Sequence, residues 1–336
     1  MADPKQQNVI PIFFTFDRYY VLAAGVAIYS LLEHASTRYH YELYVVHAGL
    51  KERHMRCLRR IVNRFPHANI SFVTAPDYDT AWQKLEKKSH FSKEIFYKMT
   101  AANLFPGYDR ILFSDVDVIF TTDISSSFFL FPDEKFYFAG TRPILENPNL
   151  PGYRSTFSEE EMRLINDYEV SAGYMLINLA QMRADDMEHT LVGFFQRNAW
   201  RLRLPEQDCI ALCCQPHIKF MDYKYGVGNN LYRIDPDTAT YNANNPVLAD
   251  RTKAADIYRT MLRDAVQLHY LGINKPWNDC RVPRFADWLA VCRRAGLCGY
   301  WLSRQPLFLW QRIQRKSLRR FLRKLKARFF PAAKKG

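Results

Sequence analysis

Two carboxylates separated by one residue are the clearest candidates in the chain for a chemical role. Asp115 and Asp117 flank Val116 and directly follow the apolar run of residues 110–113, which predicts a short strand. Carboxylate oxygens are ligands that Mg²⁺ and Mn²⁺ prefer, and a cation held there could neutralise the charge of bound phosphates. An isolated Asp-x-Asp is common by chance, and the alternative is a pair of solvated turn acids. The position directly after a strand favours the metal site.

A second group of candidate residues lies in the string from His269 to Trp277. His269, at a predicted strand end, could give a third metal ligand as neutral imidazole. Lys275 could place a positive charge on a phosphate, and Gly272 would allow the backbone to approach a diphosphate closely. His269 taken alone is more often a hydrogen-bonded core residue. The complete string is much more specific than any of its parts.

The elements around these residues alternate between strand-like and helix-like segments, which predicts an α/β fold with a largely parallel sheet. Such sheets bind ligands at the carboxyl ends of their strands. Asp17, after the first predicted strand, and Asp115, after the fourth, should therefore lie on one rim. The predicted strands are 9–16, 41–46, 70–73, 110–113, 136–140, 174–179, 218–221 and 266–271, and the predicted helices are 20–33, 52–64, 93–104, 180–200 and 207–214. The polar stretch of residues 142–167 is long for a plain loop, which predicts either a helical insertion or a substrate-binding loop.

At the two strings the chain resembles glycosyltransferase family 8, retaining enzymes that include bacterial lipopolysaccharide galactosyl- and glucosyltransferases and glycogenin. The family pattern is a strand with Asp-x-Asp and, later, His-x-x-Gly-x-x-Lys-Pro-Trp; residues 115–117 and 269–277 match it at every fixed position. The similarity covers about residues 8 to 280. It implies a single α/β domain of the GT-A type with a Rossmann-like nucleotide-binding half. It also implies a bound Mn²⁺ or Mg²⁺, a UDP-sugar donor and retention of the anomeric configuration.

The resemblance also implies roles for individual residues. Asp115, Asp117 and His269 would bind the metal. In the loop after the first strand, Asp17 would accept a hydrogen bond from the uracil and Tyr19 would stack on it. Lys98 stands where the family has Arg, and Ser171 stands where it usually has Asn. The residues expected to bind the donor are Thr15, Asp17, Tyr19, Lys98, Ser114, Val116, Ser171, Gly272 and Lys275.

The catalytic residues implied by the resemblance form the triplet Glu206, Gln207 and Asp208, where the family has an acid, Gln and Asp. Gln207 would stabilise the developing oxocarbenium ion through its amide oxygen, and Glu206 would hold hydroxyls of the donor sugar. The departing phosphate would accept the proton of the acceptor hydroxyl. A double displacement with Glu206 or Asp208 as nucleophile stays open. The alternative for both acids is a purely structural place at a helix N-terminus.

Positive charge is concentrated at the end of the chain. Of 47 Lys and Arg in 336 residues, twelve lie in residues 301–336, which contain no Asp or Glu, so the rest carries a net charge of only +1. This division argues against a nucleic-acid-binding body.

From Ile313 onward the apolar spacing predicts a basic amphipathic helix that binds an anionic membrane. The alternatives are a helix docked on the catalytic domain and a nucleic-acid-binding arm. Its apolar residues are Ile313, Leu318, Phe321, Leu322, Leu325 and Phe329.

These features together predict a catalytic domain at 1–280 and a helical extension with a membrane-associating tail at 281–336. The polar N-terminus lacks a signal-peptide pattern, and the apolar stretch of residues 21–32 is shorter than the roughly 20 residues that span a bilayer. We therefore expect a cytoplasmic protein, peripheral at the inner face of the membrane. Its acceptor would be a saccharide or lipid-linked glycan such as lipopolysaccharide core. The rival hypothesis is a non-catalytic membrane- or nucleic-acid-binding protein with the same fold.

Overall fold

A mixed seven-stranded sheet forms the centre of the structure. The structure is a computed structural model that describes residues 8–74, 96–146, 156–310 and 313–314. The strand order is β3-β2-β1-β4-β7-β6-β8. The first four strands in this order are parallel, β7 runs antiparallel to both β4 and β6, and β8 runs parallel to β6. These strands are β1 (Val9–Thr15), β2 (His40–His47), β3 (Ala68–Thr74), β4 (Arg110–Ser114), β6 (Phe138–Thr141), β7 (Tyr174–Asn178) and β8 (Ile218–Met221).

Helices cover both faces of this sheet because its central strands are apolar on both sides. Along β1, Ile12 and Phe14 enter one hydrophobic core while Phe13 enters the other. Buried residues of α1, α2 and α11 pack in the first core, and buried residues of α7, α8 and α9 pack in the second. The helices are α1 (Val21–His34), α2 (Glu52–Val62), α3 (Phe96–Met99), α4 (Ala101–Leu104), α5 (Ser125–Phe128), α6 (Glu159–Tyr168), α7 (Leu179–Ala184), α8 (Met187–Asn198), α9 (Pro205–Cys213), α10 (Arg251–Arg263) and α11 (Phe285–Arg294).

A small second sheet joins distant parts of the chain. It contains β5 (Val118–Phe120), β10 (Gln267–His269) and β9 (Val227–Gly228), with β10 in the middle. β10 is antiparallel to β5, and His269 pairs with Val118. Because Val118 directly follows Asp117, this register brings the histidine beside the second aspartate.

The α/β fold class predicted from the sequence is confirmed, and the differences are local. The helix predicted for 180–200 is two helices, because Asp186 takes a left-handed conformation with φ of 47° between α7 and α8. The described part of the helix predicted for 93–104 is likewise two short helices, α3 and α4. The strand predicted for 266–271 ends at His269. The helix α6 begins within the stretch 142–167 and ends one residue after it, and residues 147–155 of that stretch lie outside the described residues.

The beginning of the C-terminal region packs on the main core through tryptophans. Trp277 and Trp288 are buried, with ring centroids 6.2 Å apart. The indole of Trp301, in a helix described from 298 to 310, donates to the carbonyl oxygen of Trp277 at 3.0 Å. Of the predicted basic helix only residues 313 and 314 are described, and the remainder lies outside the described residues. Across the described part of the chain, none of the helices combines the length and hydropathy needed to cross a bilayer.

Candidate active site

Three potential metal ligands converge at the carboxyl end of β4. Asp115 follows β4, Asp117 precedes β5, and His269 ends β10. The His269 Nε2 lies 3.1 Å from the Asp117 Oδ1 and 3.7 Å from the Asp115 Oδ2. One ligand atom from each side chain lies within 4.8 Å of the others. Divalent cations bind oxygen and nitrogen at about 2.0–2.6 Å, so this triangle has a suitable size for one ion.

A glycine makes room for the histidine ring. A Cβ at Gly173 would lie 2.6 Å from the Nδ1 of His269 and 3.4 Å from the Oδ2 of Asp115. The carbonyl oxygen of Gly173 also accepts a hydrogen bond from the Asp115 backbone at 2.9 Å. Only glycine allows the imidazole to stand this close to the backbone, so Gly173 shapes the cluster without supplying a ligand.

A buried glutamine, which was not among the residues predicted from the sequence, stabilises the cluster through hydrogen bonds. Gln267 is fully buried, and its Nε2 donates to the Ser114 Oγ at 3.0 Å and to the Gly173 carbonyl oxygen at 3.2 Å. The Ser114 Oγ donates in turn to the Asp115 carbonyl oxygen at 2.7 Å. Gln267 therefore ties β10 to the residues that hold Asp115. A polar residue inside an apolar strand, two positions before His269, was the available sequence signal.

Lys275 neutralises one of the two aspartates. Its Nζ lies 2.6 Å from the Asp117 Oδ2 and donates to the Tyr270 carbonyl oxygen at 2.5 Å. Burial alone would raise the pKa of Asp117, but the neighbouring His269 and then Lys275 outweigh it and hold that pKa well below its usual range. Asp117 is therefore ionised, the state that a metal ligand needs.

Lys98 neutralises the other aspartate and links it to α9. Its Nζ lies 3.1 Å from the Asp115 Oδ1, 3.6 Å from the Glu206 Oε1 and 3.1 Å from the carbonyl oxygen of Ala172. The side chain is buried, which opposes its charge, yet Asp115 and then Glu206 raise its pKa above the usual value. A permanent ammonium thus connects the Asp-x-Asp pair with the predicted catalytic triplet.

The members of that triplet occupy different environments at the start of α9. Glu206 and Gln207 are half-buried, whereas Asp208 is only 1% exposed. The Asp208 Oδ2 accepts hydrogen bonds from the backbone of Arg203 at 2.7 Å and of Leu204 at 3.0 Å. These contacts are those of a residue that anchors the preceding loop. A catalytic role for Asp208 stays a prediction.

The loop after β1 lies on the same sheet edge as the metal cluster, because β1 pairs with β4. Thr15 is buried, and its Oγ1 has no hydrogen-bond partner among the described residues. The Asp17 Oδ1 accepts from the Tyr19 backbone at 2.8 Å. Tyr19 is 50% exposed, and its hydroxyl accepts from the Arg18 guanidinium at 2.9 Å. An unpartnered hydroxyl at the end of β1 and an exposed aromatic ring in the following loop both suit a ligand at this loop.

The remaining predicted donor-binding residues differ in how they could reach a ligand. Ser114 is fully buried and Val116 is 4% exposed, so a donor contact by either residue stays a prediction. Ser171 is half-buried, and its backbone donates to the Thr141 carbonyl oxygen at 2.8 Å. Gly272 is exposed and takes a φ of +81°, a conformation that favours glycine.

Comparisons with solved structures place this fold among glycosyltransferases. The bifunctional glycosyltransferase WbbM, in its apo structure, superposes with a TM-score of 0.68 at 18% identity, covering 90% of this chain and 53% of that one. The galactosyltransferase LgtC, solved with donor and acceptor sugar analogues, gives 0.60 at 17% identity and coverages of 85% and 95%. Mouse xyloside xylosyltransferase 1 gives 0.52 at 16% identity, with coverages of 78% and 97%. This chain thus spans about half the length of WbbM, and these likenesses show the fold.

Sequence comparison decides the family. Curated proteins give no significant match to this chain. The family model described as glycosyl transferase family 8 matches residues 11–281, a stretch that contains the three converging ligands and both buried lysines. A family-model match over most of the chain means that the protein belongs to glycosyl transferase family 8.

Proposed function

We propose that the protein transfers a hexose, galactose or glucose, from a UDP-sugar to a saccharide acceptor with retention at the anomeric carbon. The observation that carries this proposal is the convergence of Asp115, Asp117 and His269 at a sheet edge, in a chain of family 8. Lys275 adds positive charge beside Asp117 at 2.6 Å. A cation site next to a lysine suits a diphosphate leaving group.

The proposed cofactor is Mn²⁺ or Mg²⁺, held by the two carboxylates and the imidazole. The donor set supports this proposal, because two carboxylate oxygens suit both ions. When bound, the cation supplies positive charge that stabilises the departing diphosphate. Lys275 would then exchange part of its contact with Asp117 for a phosphate oxygen, which its three donors permit.

The proposed transfer uses the side chains of Gln207 and Glu206. The bond from the anomeric carbon to the diphosphate breaks, and the acceptor oxygen bonds to the same face. The acceptor proton passes to the departing phosphate oxygen, so no protein base is required. Gln207 would direct its amide oxygen at the cationic carbon, and Glu206, held by Lys98 at 3.6 Å, would orient sugar hydroxyls. The two backbone amides on Asp208 favour this direct path over one in which Asp208 is the nucleophile.

The proposed acceptor is a lipid-linked glycan such as lipopolysaccharide core, reached at the inner face of the cytoplasmic membrane. The twelve cations of residues 301–336 support this location, because each Lys or Arg near an anionic surface contributes about 1 kcal/mol. We propose residues 1–280 as the catalytic domain and 281–336 as the extension that brings it to the membrane.

A donor screen with the purified protein tests the proposal. UDP release is measured for each nucleotide sugar with Mn²⁺ present, with and without a saccharide acceptor. We expect release from a UDP-hexose that increases with acceptor and disappears in Asp117→Asn. Release from no nucleotide sugar, with no acceptor-dependent product, would favour the non-catalytic binding protein instead.

A further inference from the structure

A cavity of about 700 Å³ is lined in part by the predicted nucleotide loop, and none of the three potential metal ligands lines it. Its walls are the loop after β1, the first turn of α2 and the helix of residues 298–310. In the sheet, β1 pairs with both β2 and β4. Neighbouring strands are about 4.8 Å apart, so this cavity and the metal cluster share one edge of the sheet within a few strand widths.

Four cationic side chains from three separate elements line this cavity: Arg18, Lys51, Arg53 and Arg304. None of its described lining residues is Asp or Glu. His54 is a buried residue of the same wall, and the Arg53 Nε lies 3.2 Å from its Nε2. Burial first, and then the charges of these four residues, lower the pKa of His54. The same positive field would attract an anion into the cavity.

The nearest acids on the lining elements are already engaged. Glu52, the acid in the first turn of α2, forms an ion pair with Arg59 at 2.8 Å along its own helix. Asp17 accepts a hydrogen bond from the Tyr19 backbone at 2.8 Å. Neither residue lines the cavity. The cationic side chains there are therefore more numerous than the local carboxylates that could balance them.

Two tyrosine hydroxyls add donors to the walls, whereas the Ser303 hydroxyl already donates to the Tyr300 carbonyl oxygen at 2.7 Å. Tyr19, Tyr300 and Ser303 line the cavity together with the guanidinium groups of Arg18 and Arg304. Guanidinium forks match the paired oxygens of phosphate, and a tetrahedral phosphate can accept from several directions at once. A single carboxylate, with two oxygens in one plane, would use fewer of these donors.

We propose that this cavity binds a phosphate ester carried by a lipid or by a lipid-linked saccharide. The helix of residues 298–310 supports a lipid-borne source. Ser303 and Arg304 face the cavity, while Leu302, Leu309 and Trp310 of the same helix are more than half exposed. A phosphate in the cavity would thus lie beside an apolar surface. The cavity shares Tyr19 with the predicted nucleotide loop, but phosphate binding in EDTA does not require donor turnover, so a failed donor screen leaves this proposal standing.

Calorimetry on the full-length protein tests this site. Inorganic phosphate and glycerol 3-phosphate are titrated separately, with EDTA present so that a divalent cation cannot recruit them to the metal cluster. The pocket variant Lys51→Ala/Arg304→Ala removes one charge from each of two walls. The matched control Arg56→Ala/Arg60→Ala removes two exposed charges from α2 outside the cavity.

We expect binding in the wild type and the control, and a dissociation constant larger by about ten-fold or more in the pocket variant, since charge-assisted hydrogen bonds are lost. Tighter binding of glycerol 3-phosphate than of inorganic phosphate would support an ester ligand, and equal or weaker binding would overturn it in favour of free phosphate. An equal loss of phosphate affinity in both double variants, or no phosphate binding by the wild type, would overturn the proposed site. An unchanged unfolding temperature without ligand shows that the pocket variant is folded.

Discussion

At the scale of single residues, the candidate active site depends on close contacts that leave little room for change. The His269 ring passes over Gly173, and Lys98 and Lys275 each hold one carboxylate of the cluster within about 3 Å. The two lysines offset the negative charge of the aspartates in a partly buried place, where unpaired charge would be costly. The geometry is therefore prepared before a cation arrives, which lowers the cost of binding one.

Gly173→Ala should displace the imidazole, because the new Cβ would lie 2.6 Å from the His269 Nδ1. We expect Mn²⁺ affinity to fall by roughly 10–100-fold, as for other changes that misplace a metal ligand. Titration of Mn²⁺ followed by calorimetry measures this directly.

The matched control is Gly193→Ala in α8, where the new Cβ meets only the movable end of Arg197 at 3.2 Å. It should leave Mn²⁺ affinity unchanged and stabilise the helix by up to about 1 kcal/mol. Equal Mn²⁺ affinities in the two variants would show that the glycine does not place the histidine.

At the scale of elements, the short strands of the second sheet carry the site. β5 begins directly after Asp117, and β10 ends at His269, so their antiparallel pairing joins ligands that are 152 residues apart. Gln267 on β10 reaches across to Ser114 and Gly173 and fixes this junction. The ligands are thus positioned by long-range pairing between strands of three residues each.

Gln267→Leu should loosen that junction while keeping a similar volume in the core. We expect Mn²⁺ affinity to drop by roughly 10–100-fold, typical of losing a group that orients metal ligands. Leu268→Ala is the comparison, since Leu268 is fully buried in the same strand and its loss should cost about 2–5 kcal/mol of stability. Calorimetry and denaturant unfolding are measured on both. A Gln267 variant that loses stability but retains metal affinity would assign it a packing role alone.

Sequence patterns predicted the strands of the main sheet well, but missed the break at Asp186 in a long helical segment and the shortest strands. Apolar runs such as β1 and β8 are distinct, and their predicted and observed bounds nearly coincide. β5 and β9, with three and two residues, are shorter than any hydrophobic period can mark. The convergence of His269 with the Asp-x-Asp pair was predicted through the family resemblance. Gly173 and Gln267 were not selected, because their roles arise from contacts between strands that the chain order does not reveal.

At the scale of the whole molecule, a nearly neutral body is followed by a strongly basic end. The stretch that links them packs on the main core, with Trp288 and Phe308 buried, before Leu309 and Trp310 become exposed. A boundary just after Trp310 therefore preserves the described packing. The predicted membrane-binding helix lies beyond it and stays a prediction.

Truncation after Trp310 tests that helix. It removes eleven of the twelve C-terminal cations, so association with anionic liposomes should weaken by at least about ten-fold at low salt. Turnover of a soluble acceptor analogue should persist, because the described site residues remain. Co-sedimentation of the truncated protein at the level of the full chain would place the membrane contact elsewhere, and loss of turnover would point to a role of the tail in folding.

The central claim is that Asp115, Asp117 and His269 bind UDP through a shared divalent cation. Calorimetric titration of UDP into the wild-type protein, with Mn²⁺ and then with EDTA, tests it most directly. We predict that UDP binds with Mn²⁺ present, that EDTA abolishes this binding, and that Asp115→Asn and Asp117→Asn lose it while retaining the wild-type fold by circular dichroism. UDP binding of equal affinity in EDTA, or in either folded variant, would contradict the claim.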